Sequence, residues 1–348
     1  MSIRRPLLLP LAPLYGAGLA VKWLLFRLGW LKQRRLANPV ISVGSVSAGG
    51  AGKTPVVMML AGMLRRRGYA VTILTRGFGR APKTVERVEP YGDAAWFGDE
   101  PVLMAQRAGV PVFVGADRYS AGLLAEQSEA RKEVSEKIAV HLLDDGFQHR
   151  KLARDVDIVL LTEEDVEDAL LPAGNLREPL SALRETDVIV VREEEMARLE
   201  SFIAGLSRKG NPIAVWVIRR RLSLDGDGER LLSARPLAFC GIARPKDFTR
   251  MLVAEGCRPV ETIAFPDHHA YIDSDIVRLL REARQRGADG FVTTEKDAVK
   301  LMPVMRERLE TVGPLVVARL GVELVDEESA LLQLIAMEGR LDRRSRNR

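Results

Sequence analysis

Cysteine, histidine and aromatic residues are all scarce in this sequence. Of its 348 residues, two are cysteine and four are histidine, and aromatic residues make up 5%. The two cysteines, Cys240 and Cys257, provide neither a disulfide framework nor the spacing of a cysteine-ligated metal site, which suits a reducing cytoplasm. No basic stretch is interleaved with aromatic residues, so no nucleic-acid partner is expected.

Acidic residues are absent from residues 1–37, which carry seven lysines and arginines. The tail from Gly339 holds five arginines and one aspartate. Since the whole chain has a net charge of +5 and these two ends carry +7 and +4, the residues between them carry −6. The basic character therefore belongs to the ends, and one interpretation of the tail is a disordered, solubilising extension.

A long uninterrupted apolar run is also missing. Residues 6–32 are rich in Leu, Trp and Phe, but the longest charge-free run, Pro6–Val21, contains three prolines and is shorter than the roughly 20 residues of a spanning helix. The segment is open to three interpretations: a cleaved signal peptide, a helix packed on the core, or a helix lying on an anionic membrane. The interfacial helix is favoured because it explains both the apolar surface and the excess of cations.

The most informative motif is a glycine-rich turn that follows an apolar strand, over Ile41–Pro55. Backbone N–H groups freed by such glycines surround phosphate oxygens at a helix N-terminus. Lys53 adds a charge for the terminal phosphates, and the Thr54 hydroxyl is placed to coordinate Mg²⁺. Ser47 occupies the first glycine position of a strict Walker A motif. The predicted nucleotide-binding residues are Ser47, Ala48, Gly49, Gly50, Ala51, Gly52, Lys53 and Thr54.

Short β-branched runs alternate with helical stretches, which predicts βαβ units and a largely parallel sheet covered by helices. The runs are Val40–Val43, Ala70–Leu74, Val112–Val114, Ile138–Leu143, Asp157–Leu161, Val188–Val191, Ile213–Val217, Pro236–Cys240, Val260–Ala264, Gly290–Thr294 and Pro314–Val317. A polar break at Asp225–Glu229 separates the first seven from the last four. Ala214–Leu224 and Leu315–Leu324 are predicted to pair as a two-stranded hinge.

The predicted fold class is therefore α/β, with two α/β/α domains joined by that hinge. The larger, N-terminal domain contains the phosphate loop and a mostly parallel sheet. The predicted parts are a membrane-associated amphiphilic segment over residues 1–37, the P-loop domain over 38–212, a smaller α/β domain over 213–335 and a basic tail over 336–348. In such sheets ligands bind beyond the carboxyl ends of the strands.

Two acids end the strand that begins at Ile138. Asp144 and Asp145 open the run Asp-Asp-Gly-Phe-Gln-His149, and carboxylates at the end of a buried strand beside a phosphate loop are how such proteins hold Mg²⁺. Glu178, in Pro172–Pro179, is a further candidate for a direct or indirect Mg²⁺ contact, and its neighbour Arg177 can neutralise phosphate charge.

Candidate acid–base groups occur in two separate places. Asp99 and Glu100 precede a helical run, where they act either as helix-capping acids or as a base for an acceptor hydroxyl. Phe265–Tyr271 follows a predicted strand and brings Asp267, His268 and His269 together, which offers general-base or orienting groups. Arg76 and Arg118 each follow a strand and act either in surface ion pairs or on a transferring phosphoryl group.

Taken together, the motifs resemble those of the tetraacyldisaccharide 4′-kinases, the lipid A 4′-kinases of Gram-negative bacteria. The matching pieces run in the family's order over nearly the whole chain: Ser47–Pro55, Thr75–Gly77, Gly98–Pro101, Asp144–His149, Pro172–Pro179, Phe239–Ala243, Phe265–Tyr271 and Thr293–Ala298. The Ser47 departure from a strict Walker A motif is also what this family shows.

The resemblance implies transfer of the ATP γ-phosphate to the 4′-hydroxyl of an acylated glucosamine disaccharide 1-phosphate, on the cytoplasmic face of the inner membrane. It implies Asp99 as the catalytic base, paired with His268 or His269. The same motifs imply that Thr54, Asp144 or Asp145, and Glu178 bind Mg²⁺. They imply that Lys53, Arg76 and Arg118 neutralise phosphate charge. Gln148 and His149 are implied to line the site.

Two other classes of protein remain as alternatives. Regulatory membrane ATPases also contain Gly-Gly-x-Gly-Lys-Thr loops, although they usually carry a further lysine where this chain has Ser47-Ala48. A non-catalytic, nucleotide-gated scaffold at the membrane is the second alternative. An assay with ATP and a lipid disaccharide acceptor distinguishes all three.

Overall fold

The structure is a computed structural model that describes residues 5–49, 52–80, 82–130, 138–206, 213–224 and 233–345. The polar break predicted at residues 225–229 lies outside the described residues. The boundaries predicted between the four parts of the chain stay a prediction.

The strands of the described residues form one mixed, mostly parallel sheet. They are β1 (Val40–Ser45), β2 (Ala70–Thr75), β3 (Glu86–Arg87), β4 (Val112–Val114), β5 (Ala139–Asp144), β6 (Val156–Leu160), β7 (Val188–Arg192), β8 (Ala214–Ser223), β9 (Pro236–Cys240), β10 (Glu261–Ala264), β11 (Gly290–Thr294) and β12 (Leu315–Leu324). Their order across the sheet is β10-β9-β11-β12-β8-β7-β6-β1-β5-β2-β4-β3. The α/β class and the largely parallel sheet agree with the prediction made from the alternation of β-branched runs and helical stretches.

Helices cover the sheet. They are α1 (Ala12–Arg27), α2 (Lys53–Arg66), α3 (Ala94–Phe97), α4 (Asp99–Arg107), α5 (Arg118–Ala130), α6 (Glu163–Glu167), α7 (Met196–Ala204), α8 (Pro245–Ala254), α9 (Asp273–Arg286), α10 (Glu295–Ala298), α11 (Pro303–Glu310) and α12 (Glu327–Ser345). Short 3₁₀ helices cover Pro6–Leu11, Leu180–Glu185 and Glu193–Glu195. The basic tail is helical up to Ser345, because α12 continues to that residue. For this part of the tail, the interpretation as a disordered extension is wrong.

The apolar strands are buried because helices cover both faces of the sheet. All six residues of β1 are buried, and β1 packs with α2 and the neighbouring strands in one core. A separate core, around Phe239 and Phe291, fills the part of the chain that contains β9–β11. Each half of the molecule therefore has its own hydrophobic core, and the sheet connects the two.

The connection between the halves is an antiparallel pair in an otherwise parallel region. Strands β8 and β12 pair from Ile218 opposite Leu324 to Ser223 opposite Arg319. β8 pairs on its other side with β7, and β12 pairs with β11, in parallel. The predicted pairing of these two crossings is confirmed, and we call this pair the hinge ribbon.

The N-terminal helices lie on the outside of the molecule. No residue of Pro6–Leu11 or of α1 is buried. Together they form the one helical stretch among the described residues, Pro6–Arg27, that is long and apolar enough to cross a membrane. Polar contacts hold the stretch to the body, since Tyr15 donates its hydroxyl hydrogen bond to the Arg177 carbonyl and Arg150 lies 4.4 Å from the Trp23 ring. Trp23 also packs against a core cluster of the body, so a helix packed on the core and a helix lying on a membrane both stay predictions.

Candidate active site

The carboxyl ends of the strands and the hinge ribbon surround a cleft of about 670 Å³. The first half of the chain contributes the phosphate loop, the ends of β2 and β5, and Glu100. The second half contributes the loop after β9, His268 and the start of α10. Apolar side chains of the hinge ribbon and α8, such as Leu222, Phe248 and Leu320, cover the remaining wall.

The phosphate loop is shaped by backbone positions that only some residues can adopt. Gly52 precedes α2 with a φ of +88°, in the left-handed region that favours glycine. Lys53 and Thr54 then begin α2 with their backbone N–H groups at the positive end of the helix dipole. Ala48, Gly49, Gly52, Lys53 and Thr54 line the cleft. Gly50 and Ala51 lie outside the described residues.

A close contact behind the loop accounts for Gly44. A Cβ atom on this residue would lie 2.5 Å from Cβ of Phe147. The glycine therefore allows the run that starts at Asp144 to pack directly against β1, which brings the two motifs together.

Asp145 lies between two cations of the phosphate-binding region. The Arg177 guanidinium donates two hydrogen bonds to its carboxylate, at 2.9 and 2.7 Å, and Lys53 Nζ is 3.4 Å from Oδ1. Although burial acts in the opposite direction, these partners lower the pKa of Asp145 well below its usual range. Asp145 is therefore ionised, and it holds Lys53 and Arg177 beside the loop.

Asp144 has a different environment from its neighbour. Thr75 donates a hydrogen bond of 2.8 Å to Oδ2, whereas Oδ1 is buried without a hydrogen-bond partner among the described residues. Burial, with the charges of Glu100 and Asp145, raises the pKa of Asp144 to about 7. A buried carboxylate oxygen without a partner, in a cleft that Thr54 and the phosphate loop also line, fits Mg²⁺. Within the described residues, no group of three or more acidic, His or Cys side chains could hold a metal ion alone.

Asp99 and His268 are in contact across the two halves of the chain. His268 Nδ1 lies 3.1 and 3.0 Å from the two carboxylate oxygens of Asp99, which begins α4. Burial raises the pKa of Asp99, but the His268 hydrogen bond and the Lys296 charge outweigh it and the net pKa is lowered. The pKa of His268 is raised, chiefly by the same hydrogen bond. The pair thus holds an oriented, ionised carboxylate just behind the cleft wall, which His268 and Glu100 line while Asp99 does not.

The two adjacent histidines have different partners. His269 Nε2 lies 2.8 Å from Asp275 Oδ2, and its ring stacks on Phe265 at 4.7 Å between centroids. His268 has a φ of +59°, which turns its ring toward Asp99 instead. The sequence leaves open whether His268 or His269 pairs with Asp99, and the geometry favours His268.

Lys296 is a residue of the cleft to which the sequence analysis gives no role. Its Nζ lies 3.3 Å from His268 Nε2, 3.0 Å from Glu100 Oε1 and 3.5 Å from Asp267 Oδ1. The signal available in the sequence is its position just after β11, where charged residues follow the end of a strand. Its partners are distant in the chain, so no local pattern predicts them.

The predicted phosphate and substrate residues divide into two groups. Arg76 and Arg177 line the cleft, whereas Arg118, Gln148 and His149 do not. Gln148 donates a hydrogen bond of 2.8 Å to the Ser45 carbonyl and thereby supports the phosphate loop. Burial and the Arg118 charge lower the pKa of His149 to about 4, so this ring is neutral. Burial and the Arg76 charge lower the pKa of Arg118 to about 10.

Glu178 lies away from the cleft. Its side chain is buried beneath α1, where Trp23 and the charges of Arg150, Lys22 and Arg154 are its neighbours. Burial is the main cause of the raised pKa of this carboxyl. This placement does not support a direct contact between Glu178 and a metal ion near Thr54 and Asp144.

The arrangement as a whole can bind a polyphosphate at one wall of the cleft and remove a proton at another. Lys53, Arg177 and Arg76 provide positive charge, and Asp144 provides an oxygen ligand for a metal ion. Asp99 provides an ionised carboxylate whose orientation is fixed by a histidine. This combination is typical of phosphoryl transfer to a hydroxyl group, where positioning and charge stabilisation do most of the work.

Known proteins are similar to this chain over nearly its full length. The family model described as Tetraacyldisaccharide-1-P 4′-kinase, LpxK, matches residues 4–338. Tetraacyldisaccharide 4′-kinase of Koribacter versatilis is 41% identical over 333 residues, which cover 94% of this chain and 97% of that protein. The enzyme of the same name from Aquifex aeolicus is 38% identical over 307 residues, covering 85% and 90%. A crystal structure of LpxK from Aquifex aeolicus in complex with ATP superposes with a TM-score of 0.73 at 33% identity, over 95% of this chain and 98% of that one.

Proposed function

The chain belongs to the tetraacyldisaccharide-1-P 4′-kinase family, and we propose that Asp99, held by His268, is the base of its reaction. The protein is an ATP-dependent kinase that phosphorylates the 4′-hydroxyl of tetraacyldisaccharide 1-phosphate in lipid A biosynthesis. The contact between Asp99 and His268 is the observation that carries the assignment. It joins a carboxylate of lowered pKa to a histidine that lines the cleft.

Asp99 accepts the proton that leaves the 4′-hydroxyl as its oxygen attacks the γ-phosphorus, and the bond from that phosphorus to the bridging oxygen breaks to release ADP. His268 donates an N–H hydrogen bond to the carboxylate and fixes its orientation. Asp99 is buried, so bulk water has little access to it.

The phosphate side of the site neutralises charge. Lys53 and Arg177 approach the transferring phosphoryl group, and Arg76 adds a third cation at the same wall. Thr54 and Asp144 are the residues that would hold Mg²⁺. When bound, this ion neutralises charge on the β- and γ-phosphates. Asp145 positions Lys53 and Arg177 through the ion pairs described above.

The hinge ribbon lets the two halves of the site come together. Asp99 belongs to the half with the phosphate loop, and His268 belongs to the other half, so the base is oriented only when the cleft is closed. Glu100 with Lys296 and Arg107 with Glu295 form further ion pairs between α4 and α10. Closure thus delays proton removal until both substrates are enclosed.

The activity itself is tested with radiolabelled ATP and the lipid disaccharide acceptor in mixed micelles. We expect label on the lipid, at its 4′ position, and little phosphate release when the acceptor is omitted. Acceptor-independent release of phosphate would instead support the regulatory ATPase. Nucleotide binding without either product would support the scaffold.

The exposed N-terminal segment explains how the enzyme reaches a lipid substrate. Leu7, Leu14, Leu28 and Trp30 are 93%, 69%, 58% and 78% exposed, and no acidic residue occurs in residues 1–37. An apolar surface with only positive charges favours the anionic cytoplasmic face of the inner membrane, where the segment lies in the interface as a peripheral anchor. Arg34 and Arg35 pair with Asp117 and Asp155, which ties the end of the segment to the P-loop half.

Deletion of residues 1–31 is expected to release the protein from anionic vesicles in a sedimentation assay. Burial of one leucine side chain contributes about 1.5–3 kcal/mol, so loss of several weakens binding strongly. The triple variant Leu7→Gln, Leu14→Gln and Leu28→Gln keeps the contacts between α1 and the body and should also be released. Unchanged sedimentation of both variants would contradict the membrane assignment.

A further inference from the structure

Lys296 lies where it controls the state of the Asp99–His268 pair. The ammonium group has only hydrogen-bond donors, so its contact of 3.3 Å with His268 Nε2 requires that nitrogen to be the acceptor. The single proton of a neutral imidazole then lies on Nδ1, which faces Asp99 at 3.0 Å. One lysine thereby selects the tautomer that can donate to the carboxylate.

The charge of Lys296 is itself secured by its neighbours. Burial favours the neutral amine, but the carboxylates of Glu100, Asp99 and Asp267 outweigh burial and raise the pKa of Lys296. The ammonium group is therefore present throughout the neutral pH range. A fixed positive charge 3.3 Å from an imidazole disfavours a second positive charge on the ring.

We propose that Lys296 is a positioning residue for the kinase reaction, which holds the proton of a neutral His268 on Nδ1 and opposes a second proton on the ring, so that Asp99 remains an effective base. This inference rests on the proposed assignment of Asp99. A protonated His268 would place a full charge in contact with Asp99, and that charge would weaken the carboxylate as a proton acceptor. Lys296 places a fixed positive charge on the side of the ring away from Asp99, where it opposes that second proton.

The charged groups around His268 set the sign of the pH effect. Asp99 and Glu100 come from α4, Asp267 precedes His268 in its own loop, and Lys296 comes from α10. The carboxylates favour protonation of His268, and Lys296 is the cation that opposes it. Removal of the cation therefore moves protonation of the ring to higher pH.

The test is a pH–rate profile of the Lys296→Met variant in the full-length enzyme. We expect the acidic limb of kcat/KM to move up by about one pH unit, which is a loss of about tenfold on that limb, with recovery toward wild-type turnover at alkaline pH. Lys296→Arg keeps the charge and should leave the limb close to its wild-type position. An equal loss at every pH, with the limb unmoved, would overturn the proposal.

A matched control separates this role from loss of an interdomain ion pair. Arg107 pairs with Glu295 between the same two helices, but at the opposite end of α4 from Asp99. Arg107→Met should therefore leave the acidic limb in place. A limb that moves as far in this variant as in Lys296→Met would show that the ion pairs act only through closure, and would overturn the proposal.

A second readout does not depend on turnover. The enzyme has four histidines, and ¹⁵N shifts of their rings report both tautomer and protonation, with His268→Gln to assign the signal. We expect His268 to carry its proton on Nδ1 in the wild type and to titrate at higher pH in Lys296→Met. If His268 titrates at the same pH in Lys296→Met as in the wild type, the proposed role of Lys296 is contradicted and the role of Asp99 is not affected. Wild-type turnover of Asp99→Asn would instead contradict the assignment of Asp99 as the base.

Discussion

Replacing Asp99 with asparagine lowers kcat by about 10²- to 10⁴-fold, the usual contribution of a general base. The amide has nearly the shape of the carboxylate but cannot accept the proton of the acceptor hydroxyl. ATP affinity changes little, because Asp99 belongs to α4 and not to the phosphate loop. Single-turnover kinetics for chemistry and nucleotide titration for binding measure the two effects separately. Asp99→Ala should give the same pattern.

The control is the same chemical change at a nearby aspartate with another task. Asp93 accepts a hydrogen bond of 2.8 Å from the Ala95 amide at the start of α3, a contact that asparagine also makes. Asp93→Asn should therefore retain activity. Loss of nucleotide affinity in Asp99→Asn, with turnover preserved, would contradict the role of Asp99 as base.

Lys53→Met is expected to lower kcat by about 10²- to 10³-fold and to weaken ATP binding as well, because the lysine neutralises charge that develops on the phosphoryl group. The substitution removes the ammonium group that lies 3.4 Å from Asp145 and 3.2 Å from Ser45 Oγ. The Asp145 carboxylate then repels the incoming phosphates, with Arg177 as its remaining partner among the contacts described above. Isothermal titration with ATP and steady-state kinetics report both changes.

Lys83→Met provides the comparison for Lys53, since Lys83 is exposed in the loop that precedes β3. This variant should bind ATP and turn over like the wild type. Because a guanidinium is larger and planar, Lys53→Arg is expected to recover only part of the activity. Wild-type affinity for ATP in Lys53→Met would show that the phosphates bind elsewhere in the cleft.

Much of the fold could be predicted because buried parallel strands have a distinct composition. Runs such as Pro236–Cys240 and Gly290–Thr294 coincide with β9 and β11. The pairing of the hinge ribbon was predictable because both segments are long and extended. One leaves the first predicted domain, and the other returns after the second. The two-residue strand β3 was missed, since Glu86–Arg87 has no β-branched pattern and pairs only through its backbone with β4.

The site was predictable where one local motif contains the chemistry, and less so where distant residues meet. The phosphate loop and the run from Asp144 are read directly from spacing. The position of Glu178 depends on how α1 covers the chain after Arg177, which no pattern near residue 178 reveals. Lys296 and Glu100 are nearly two hundred positions apart in the sequence. Their contact exists only because α4 and α10, which come from different halves of the chain, pack against each other.

A joint made of two paired strands constrains the halves of a molecule more than a single linker does. Hydrogen bonds join Ile218–Ser223 to Arg319–Leu324, and each of the two strands also pairs in parallel with its other neighbour. Since the sheet is continuous from one half to the other, we expect the halves to separate by twisting of the sheet and not by release of a flexible linker.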